Sequence, residues 1–360
     1  MSELGAFLAA AGIRERALAL LALTILALFI LALAFGSYAV YLRARNDARE
    51  RSWRALVARW EGALLEALVD PSRAPAVHAA VGPGNRLRFV RFVLEYSRRL
   101  KGEERGVLRD MALPYLDPIA ERAWSSRVEV RTRAIQTLGT LGLPRYSAEV
   151  LAALDDPSPL VAMVAARCLC RAEHPEYAAS VLRRLGRFEG WSRGFMASML
   201  AAVGPEAAPA LRDTLGDADL ASLARAVAAD ALGMLKDFAS GDVAAFVVET
   251  ENDPELVAAA LRLLTTVGRP EHALLIRARC ASPDVAVRAS ALSALGTLGL
   301  AEDHYRLLGA MSDTSPWVAI QGARGLVSSG GRELLRDLAD SDHPRALLAR
   351  QILGEEGGEA

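Results

Sequence analysis

Apolar residues along this chain follow two regimes. Residues 17–41 read ALALLALTILALFILALAFGSYAVY, 25 positions without a charge. Beyond them, apolar positions return at helical spacing to the end of the chain. At 1.5 Å per residue the first run is longer than the ~30 Å hydrocarbon core of a bilayer requires. Tyr38 and Tyr41 stand at its C-terminal end, where an interfacial aromatic belt belongs. The pattern predicts a transmembrane helix over residues 17–42, preceded by a tail of residues 1–16. A cleaved signal peptide competes with it, because Ala32-Leu33-Ala34 offers a small-x-small cleavage site; the apolar run continuing through Phe35 to Leu42 argues against cleavage. Over residues 43–70, Trp53, Leu56, Val57, Trp60, Leu64 and Leu68 recur at helical spacing, which predicts a juxtamembrane amphipathic helix ended by Asp70-Pro71. Such a stripe packs into a core or docks a partner, and core packing is the commoner use.

From residue 124 the pattern becomes a repeat. Leu138, Leu169, Met199, Leu232, Leu264, Leu295 and Leu326 share one register, at intervals of 31, 30, 33, 32, 31 and 31 residues. Four residues earlier stand Ala134, Ala165, Phe195, Ala228, Ala260, Ala291 and Gly322. Apolar residues also recur eight before and three after, so all four offsets lie on one helix face. Small residues at one register admit close helix approach. Asp155-Asp156-Pro157, Asp253-Pro254, Ser282-Pro283 and Ser315-Pro316 read as helix starts, with a capping side chain and a first-turn proline. Gly142, Gly268, Gly299 and Gly330 fall four residues past the register position, where a left-handed cap is expected. A shorter apolar helix follows each long one, as in Tyr177 to Leu182. A single unit cannot bury its own apolar face, so the units must stack. The reading is seven repeats over 124–340, degenerate capping helices over 71–123, and a capping helix with an acidic tail over 341–360.

The stretches SPDVAVRASALSALGTLG and DPSPLVAMVAARCL resemble HEAT repeats of the phycobilin-lyase type. The resemblance implies an all-α fold, a right-handed α-solenoid of HEAT-type helix pairs, here preceded by one transmembrane helix. The family's Val-Arg pair survives as Val130-Arg131 and Val287-Arg288, while Ala162, Val257 and Ala319 replace the arginine elsewhere, which would break an arginine ladder. The whole layout also resembles bacterial single-span proteins with such arrays, often encoded beside membrane glycosyltransferases.

Composition adds constraints. Hydrophobic residues make up 52% but aromatics only 6%, which favours close-packed helices over sheets. A net charge of −1 gives no nucleic-acid footprint. Arg43, Arg45, Arg49, Arg51, Arg54 and Arg59 follow the apolar run, while only Arg14 and Arg16 precede it. The positive-inside rule then places the C-terminal part in the cytoplasm of a single-pass protein of the inner membrane. The same arginines attract anionic headgroups.

Candidate chemistry is sparse. Cys168, Cys170 and His174 raise the question of a zinc site, but cysteines two apart on a helix point about 200° apart, so core cysteines are expected, as for Cys280. The histidines fall mostly in inter-helix turns at similar phases of different repeats. No nucleophile triad or phosphate loop stands out. No catalytic, cofactor or metal site is therefore expected. HEAT-type lyases and DNA glycosylases share the architecture. A membrane span disfavours the first, and the acidic Asp213, Asp217, Asp219, Asp230 and Asp237 disfavour the second. The expected function is a membrane-anchored scaffold or accessory subunit for a protein partner, itself a membrane protein; the alternative is an enzyme of HEAT type, such as a lyase. The partner site expected from sequence is the irregular third-repeat turn LGRFEGWSRGF. There Arg187, Phe188 and Arg193 would stand on the solenoid edge above Trp191, or the large side chains would merely fill a widened gap.

Overall fold

The computed structural model describes residues 2–97, 103–142, 144–171, 175–188 and 190–355, without the side chains of residues 2–17, 19, 20, 71 and 103. All regular structure among these residues is helical. The chain divides into two compact units, one ending at Pro114 and the other beginning at Tyr115.

The first unit is built on α1 (Ser2–Val69), one continuous helix of 68 residues. No proline precedes Pro71, so nothing removes a backbone donor before the helix ends. Its segment from Leu21 to Leu42 buries nothing against the protein. The stripe then turns inward: Trp60, Leu64 and Ala67 are fully buried. They pack with α2 (Ala74–Val81), α3 (Arg86–Ser97) and α4 (Glu103–Ala112). Trp60 meets Phe89 edge-on at 5.5 Å and Phe92 at 5.6 Å, and its indole N–H donates to the Ala80 carbonyl at 3.1 Å. A buried tryptophan needs such a partner for its one polar atom. The stripe thus serves as core.

In the second unit, α5 (Asp117–Ala120) leads into seven helix pairs, a longer helix followed by a shorter one except in the third pair, where both have 9 residues. These are α6 (Val128–Leu141) with α7 (Ser147–Ala152), α8 (Pro159–Leu169) with α9 (Glu176–Leu182), and α10 (Arg193–Ala201) with α11 (Ala208–Gly216). There follow α12 (Ser222–Leu235) with α13 (Gly241–Thr250), α14 (Pro254–Val267) with α15 (Ala273–Arg279), α16 (Val285–Leu298) with α17 (His304–Gly309), and α18 (Pro316–Ser328) with α19 (Arg332–Ala339). A last helix, α20 (Ala346–Glu355), covers α19 and α18. α6 packs on α8, and α10, α12, α14 and α16 each pack on the next long helix, while α11, α13, α15 and α17 pack on the long helix that follows them, so this unit is an α-solenoid.

The register residues lie where the periodicity puts them, with one exception. Leu138, Leu169, Leu232, Leu264, Leu295 and Leu326 are buried, as are the alanines four before them. In the third pair Phe195 is only half-buried, whereas Met196, Ala197, Met199 and Leu200 are buried. That pattern matches α8 only if Leu200, not Met199, is the register residue. The intervals then become 31, 31, 32, 32, 31 and 31, and Gly204, with φ of +105°, falls at the cap position.

Close approach is distributed over two places. Gly322, four before its register leucine, sits against α17: a Cβ there would stand 2.7 Å from the Leu307 carbonyl and 2.8 Å from Ala310 Cβ. Two of the long-helix contacts are tightest one residue after the register position. A Cβ on Gly296 would lie 2.4 Å from Gly325 Cα, and one on Gly139 would lie 2.3 Å from Cys168 Cβ.

The caps are partly as expected. Gly142 and Gly299 end their helices in the left-handed region, and Gly330 has φ of +85°. Gly268 does not; it is extended at φ −62°, while Lys236 takes the left-handed cap of α12 at φ +53°. Asp253 caps α14 by accepting from the amides of Glu255 and Leu256, whereas α16 is capped by Asp284 rather than Ser282. Ser158, not Asp156, is the N-cap of α8. Asp156 lies too early to cap and pairs with an arginine instead.

Candidate functional site

Seven residues before the corrected register stand Arg131, Ala162, Arg193, Arg225, Val257, Arg288 and Ala319. The next repeat answers each arginine with an acid thirteen before its own register: Asp156, Asp219, Glu251 and Asp313. Arg131 forks onto Asp156 at 2.8 and 2.9 Å, and Arg288 onto Asp313 at 2.9 and 3.1 Å. Each also donates to two carbonyls at the start of its own repeat. Arg225, 3% exposed, reaches Glu251 at 2.7 Å and the Leu215 carbonyl at 3.0 Å. Arg193 is diverted to Asp230 at 2.8 Å, an acid that Arg262 shares from the other side at 2.9 Å. The ladder is interrupted, yet Arg225 adds a rung to those of Arg131 and Arg288.

Histidines also stitch neighbouring repeats. His272 receives the Arg269 amide on Nδ1 at 3.2 Å, so its proton sits on Nε2 and is donated to Asp242 at 3.3 Å. Asp242, Glu271 and His272 bring three ligand-type atoms within 4.8 Å of one another. The Arg269 guanidinium already pairs with both carboxylates, and the Nε2 lone pair a cation would need is protonated. The cluster reads as a polar knot between repeats. His304 bonds the Ser329 carbonyl at 3.0 Å, and His343 bonds the Ser312 hydroxyl at 3.3 Å.

Cys168 and Cys170 are buried, and burial pushes their thiols up to about 11 and about 12. Cys280 is likewise raised to about 12 by burial. All three stay protonated at neutral pH and are poor nucleophiles and ligands. His174 lies outside the described residues.

The third-repeat turn differs from the sequence expectation. Phe188 is fully buried, not displayed on an edge. With no Asp-Pro start, α10 begins only at Arg193, and the segment Leu185–Phe188 forms a tight turn that carries Phe188 inward. Arg187 is held by Asp155 at 3.2 Å and the Asp156 carbonyl at 2.8 Å. Arg193 is held by Asp230, as above. Trp191 stacks on Phe195, with centroids 5.8 Å apart and planes 29° apart. Phe188 is thus core, Arg187 and Arg193 are paired with framework acids although Arg187 stays exposed, and Trp191 is partly exposed.

The surface on which Trp191 lies is the outer ridge of the long helices, at nine and five before, two before and two after the register. In α8 and its flanks it carries Leu160, Val164, Arg167 and Arg171; in the third repeat, Trp191, Phe195, Ser198 and Ala202. Between the two ridges lies a cleft of about 160 Å³ lined by Arg167, Arg171, Phe195, Ser198, Met199 and Ala202. Neither arginine side chain has a carboxylate or hydrogen-bond partner among the described residues. The one-residue register slip hid this site by assigning Phe195 to the core. A further signal was available in the charge distribution: residues 43–200 hold 26 Arg and Lys against 18 Asp and Glu, while residues 201–340 hold 12 against 19. The near-zero total conceals a basic half and an acidic half. The short helices offer a second surface, on which Phe246, Leu274 and Tyr305 are more than half exposed.

Residues 245–327 match the HEAT repeats family. The match spans α14, α15, α16 and α17 with most of α18, and includes the Arg288–Asp313 rung. No curated protein matches the chain. Among solved structures, Kap121p is similar at 15% identity and a TM-score of 0.41, over 84% of this chain and 39% of that one, so the chain spans about two fifths of its length. The CpcE and CpcF complex of phycocyanin lyase from Nostoc sp. PCC7120 is similar at 18% identity and a TM-score of 0.32, over 67% of this chain and 94% of that one. Human deoxyhypusine hydroxylase is similar at 18% identity and a TM-score of 0.29, over 68% and 97%. The second unit is an array of HEAT-type helix pairs.

Proposed function

We propose that this chain is a membrane-tethered scaffold or accessory subunit, holding a protein partner on its HEAT array at the cytoplasmic face of the bilayer. The observation that carries the reading is α1. Its segment from Leu21 to Leu42 is apolar and exposed, while the same unbroken helix buries Trp60, Leu64 and Ala67 in the first unit. An exposed apolar segment of this length has a hydrocarbon environment as its natural partner. The tether concentrates the array at the membrane, which raises the effective concentration of any membrane-bound partner. The likeness of the layout to single-span proteins encoded beside membrane glycosyltransferases makes such an enzyme the partner to examine first.

Orientation is tested by reporters fused after Ala360. One active only in the cytoplasm should work, and one active only outside should stay silent. Activity of the external reporter would put the array on the other face and remove the cytoplasmic part of the proposal.

A further inference from the structure

Most arginine side chains described in the second unit are paired, though those of Arg122, Arg127 and Arg133 are not. The side chains of Arg131, Arg212, Arg225, Arg277 and Arg288 each close on a carboxylate of the following repeat, at 2.7 to 2.9 Å. Arg167 and Arg171 break this rule. Arg167 stands on the exposed ridge of α8 and Arg171 in the turn just past its end, four residues on, their side chains with no carboxylate or carbonyl partner among the described residues. Phe195 and Met199 line the same cleft, and Trp191 stacks on Phe195. The Ser198 hydroxyl is satisfied by the Phe195 carbonyl at 2.9 Å.

We propose that the cleft between α8 and α10 binds an acidic segment of a partner protein, its carboxylates on Arg167 and Arg171 and one apolar side chain against Phe195 and Met199. This rests on the docking reading above and names the chemistry of the partner. Side chains one helical turn apart are ~6 Å apart. Carboxylates at alternate positions of an extended peptide have nearly the same spacing, about 6.6 Å. Guanidinium groups take carboxylates in a forked, directional geometry. A cleft of about 160 Å³ suits one side chain, since a cavity of ~150 Å³ admits a benzene-sized group. Arginine and aromatic residues together are the commonest composition of a binding hot spot. A nucleic acid would want a longer basic track than two residues.

The test pans a phage-displayed library of random dodecapeptides on the full-length chain in detergent micelles, with Arg167→Glu/Arg171→Glu as the counter-selection. Enriched peptides should carry at least two Asp or Glu near one large apolar residue. Synthesised, the strongest should bind the double variant and Phe195→Ala at least about tenfold more weakly than wild type, a clear change in Kd. Arg183→Glu, at an exposed arginine outside the cleft, should bind as wild type. No enrichment of acidic peptides over the double variant overturns the proposal, as does equal loss in Arg183→Glu, which would mean diffuse attraction. Vesicles of phosphatidylglycerol form the remaining arm. If the double variant loses vesicle binding while no acidic peptide is selected, the arginines serve a lipid surface and the peptide proposal fails. Membrane retention of these variants, followed in parallel, reports on the tether alone, so failure of the cleft and failure of the tether are read separately.

Discussion

At the scale of single residues, spacing decides how near two long helices come. Gly296 has no room for a Cβ, because the obstacle at 2.4 Å is backbone of α18 and cannot swing away. Gly296→Ala should destabilise the second unit by about 1–3 kcal/mol, as overpacking does. Gly309 is also helical but has nothing within 4 Å of its would-be Cβ. Gly309→Ala should be neutral or stabilising by up to ~1 kcal/mol, because alanine loses less entropy in a helix. The urea midpoint should fall for Gly296→Ala and hold or rise for Gly309→Ala; a lowered midpoint for both would mean the close approach is not what matters at 296. The alanines and leucines of the register were legible in the sequence because core packing leaves little choice of size. Lys236 was not, since a lysine in the left-handed region gives no compositional sign. Phe188 was not either, since its burial follows from where α10 starts rather than from its own identity.

At the scale of elements, the helix pairs were legible and their joints less so. Periodicity gives each long helix, and Leu200 replaces Met199 only because burial shows which face α10 turns inward. The rungs joining the pairs depend on an arginine and an acid some 25 residues apart, which a search for a single dipeptide does not reveal. Arg288 and Asp313 are 15% and 17% exposed, so their pairing is only weakly screened by solvent. The Arg288 hydrogen bond, first among the causes, holds the Asp313 carboxyl below the usual range. A depressed carboxylate contributes stability above its unfolded value of ~3.9, and that contribution is lost as the pH falls through the folded value. Arg288→Met should therefore cost about 1–3 kcal/mol near neutral pH, and the difference from wild type should shrink at about pH 3. A gap that stays constant across that range would show that the loss is packing of the arginine stem rather than the ion pair. The cap of α14 is independent of the rungs: Asp253→Ala removes acceptors for two first-turn amides and should cost about 1 kcal/mol, read by the same denaturation.

At the scale of the whole molecule, one helix carries two kinds of surface. Its first part offers no charged side chain between Leu21 and Leu42, and its last part supplies the core tryptophan of the first unit. The apolar run and the stripe could both be read in the sequence, because each is a pattern local to one helix. The cleft could not, because it joins two helices, and a register displaced by one residue turns Phe195 inward. The most direct measurement of the tether is alkaline carbonate extraction of membranes from cells making the full chain, set beside a chain whose residues 17–42 are replaced by a polar helical sequence. The expected result is that the full chain stays in the membrane pellet at its full mass and the replaced chain moves to the supernatant. Full chain in the supernatant, or a pelleted product shortened by cleavage after residue 34, would contradict the membrane-tethered scaffold.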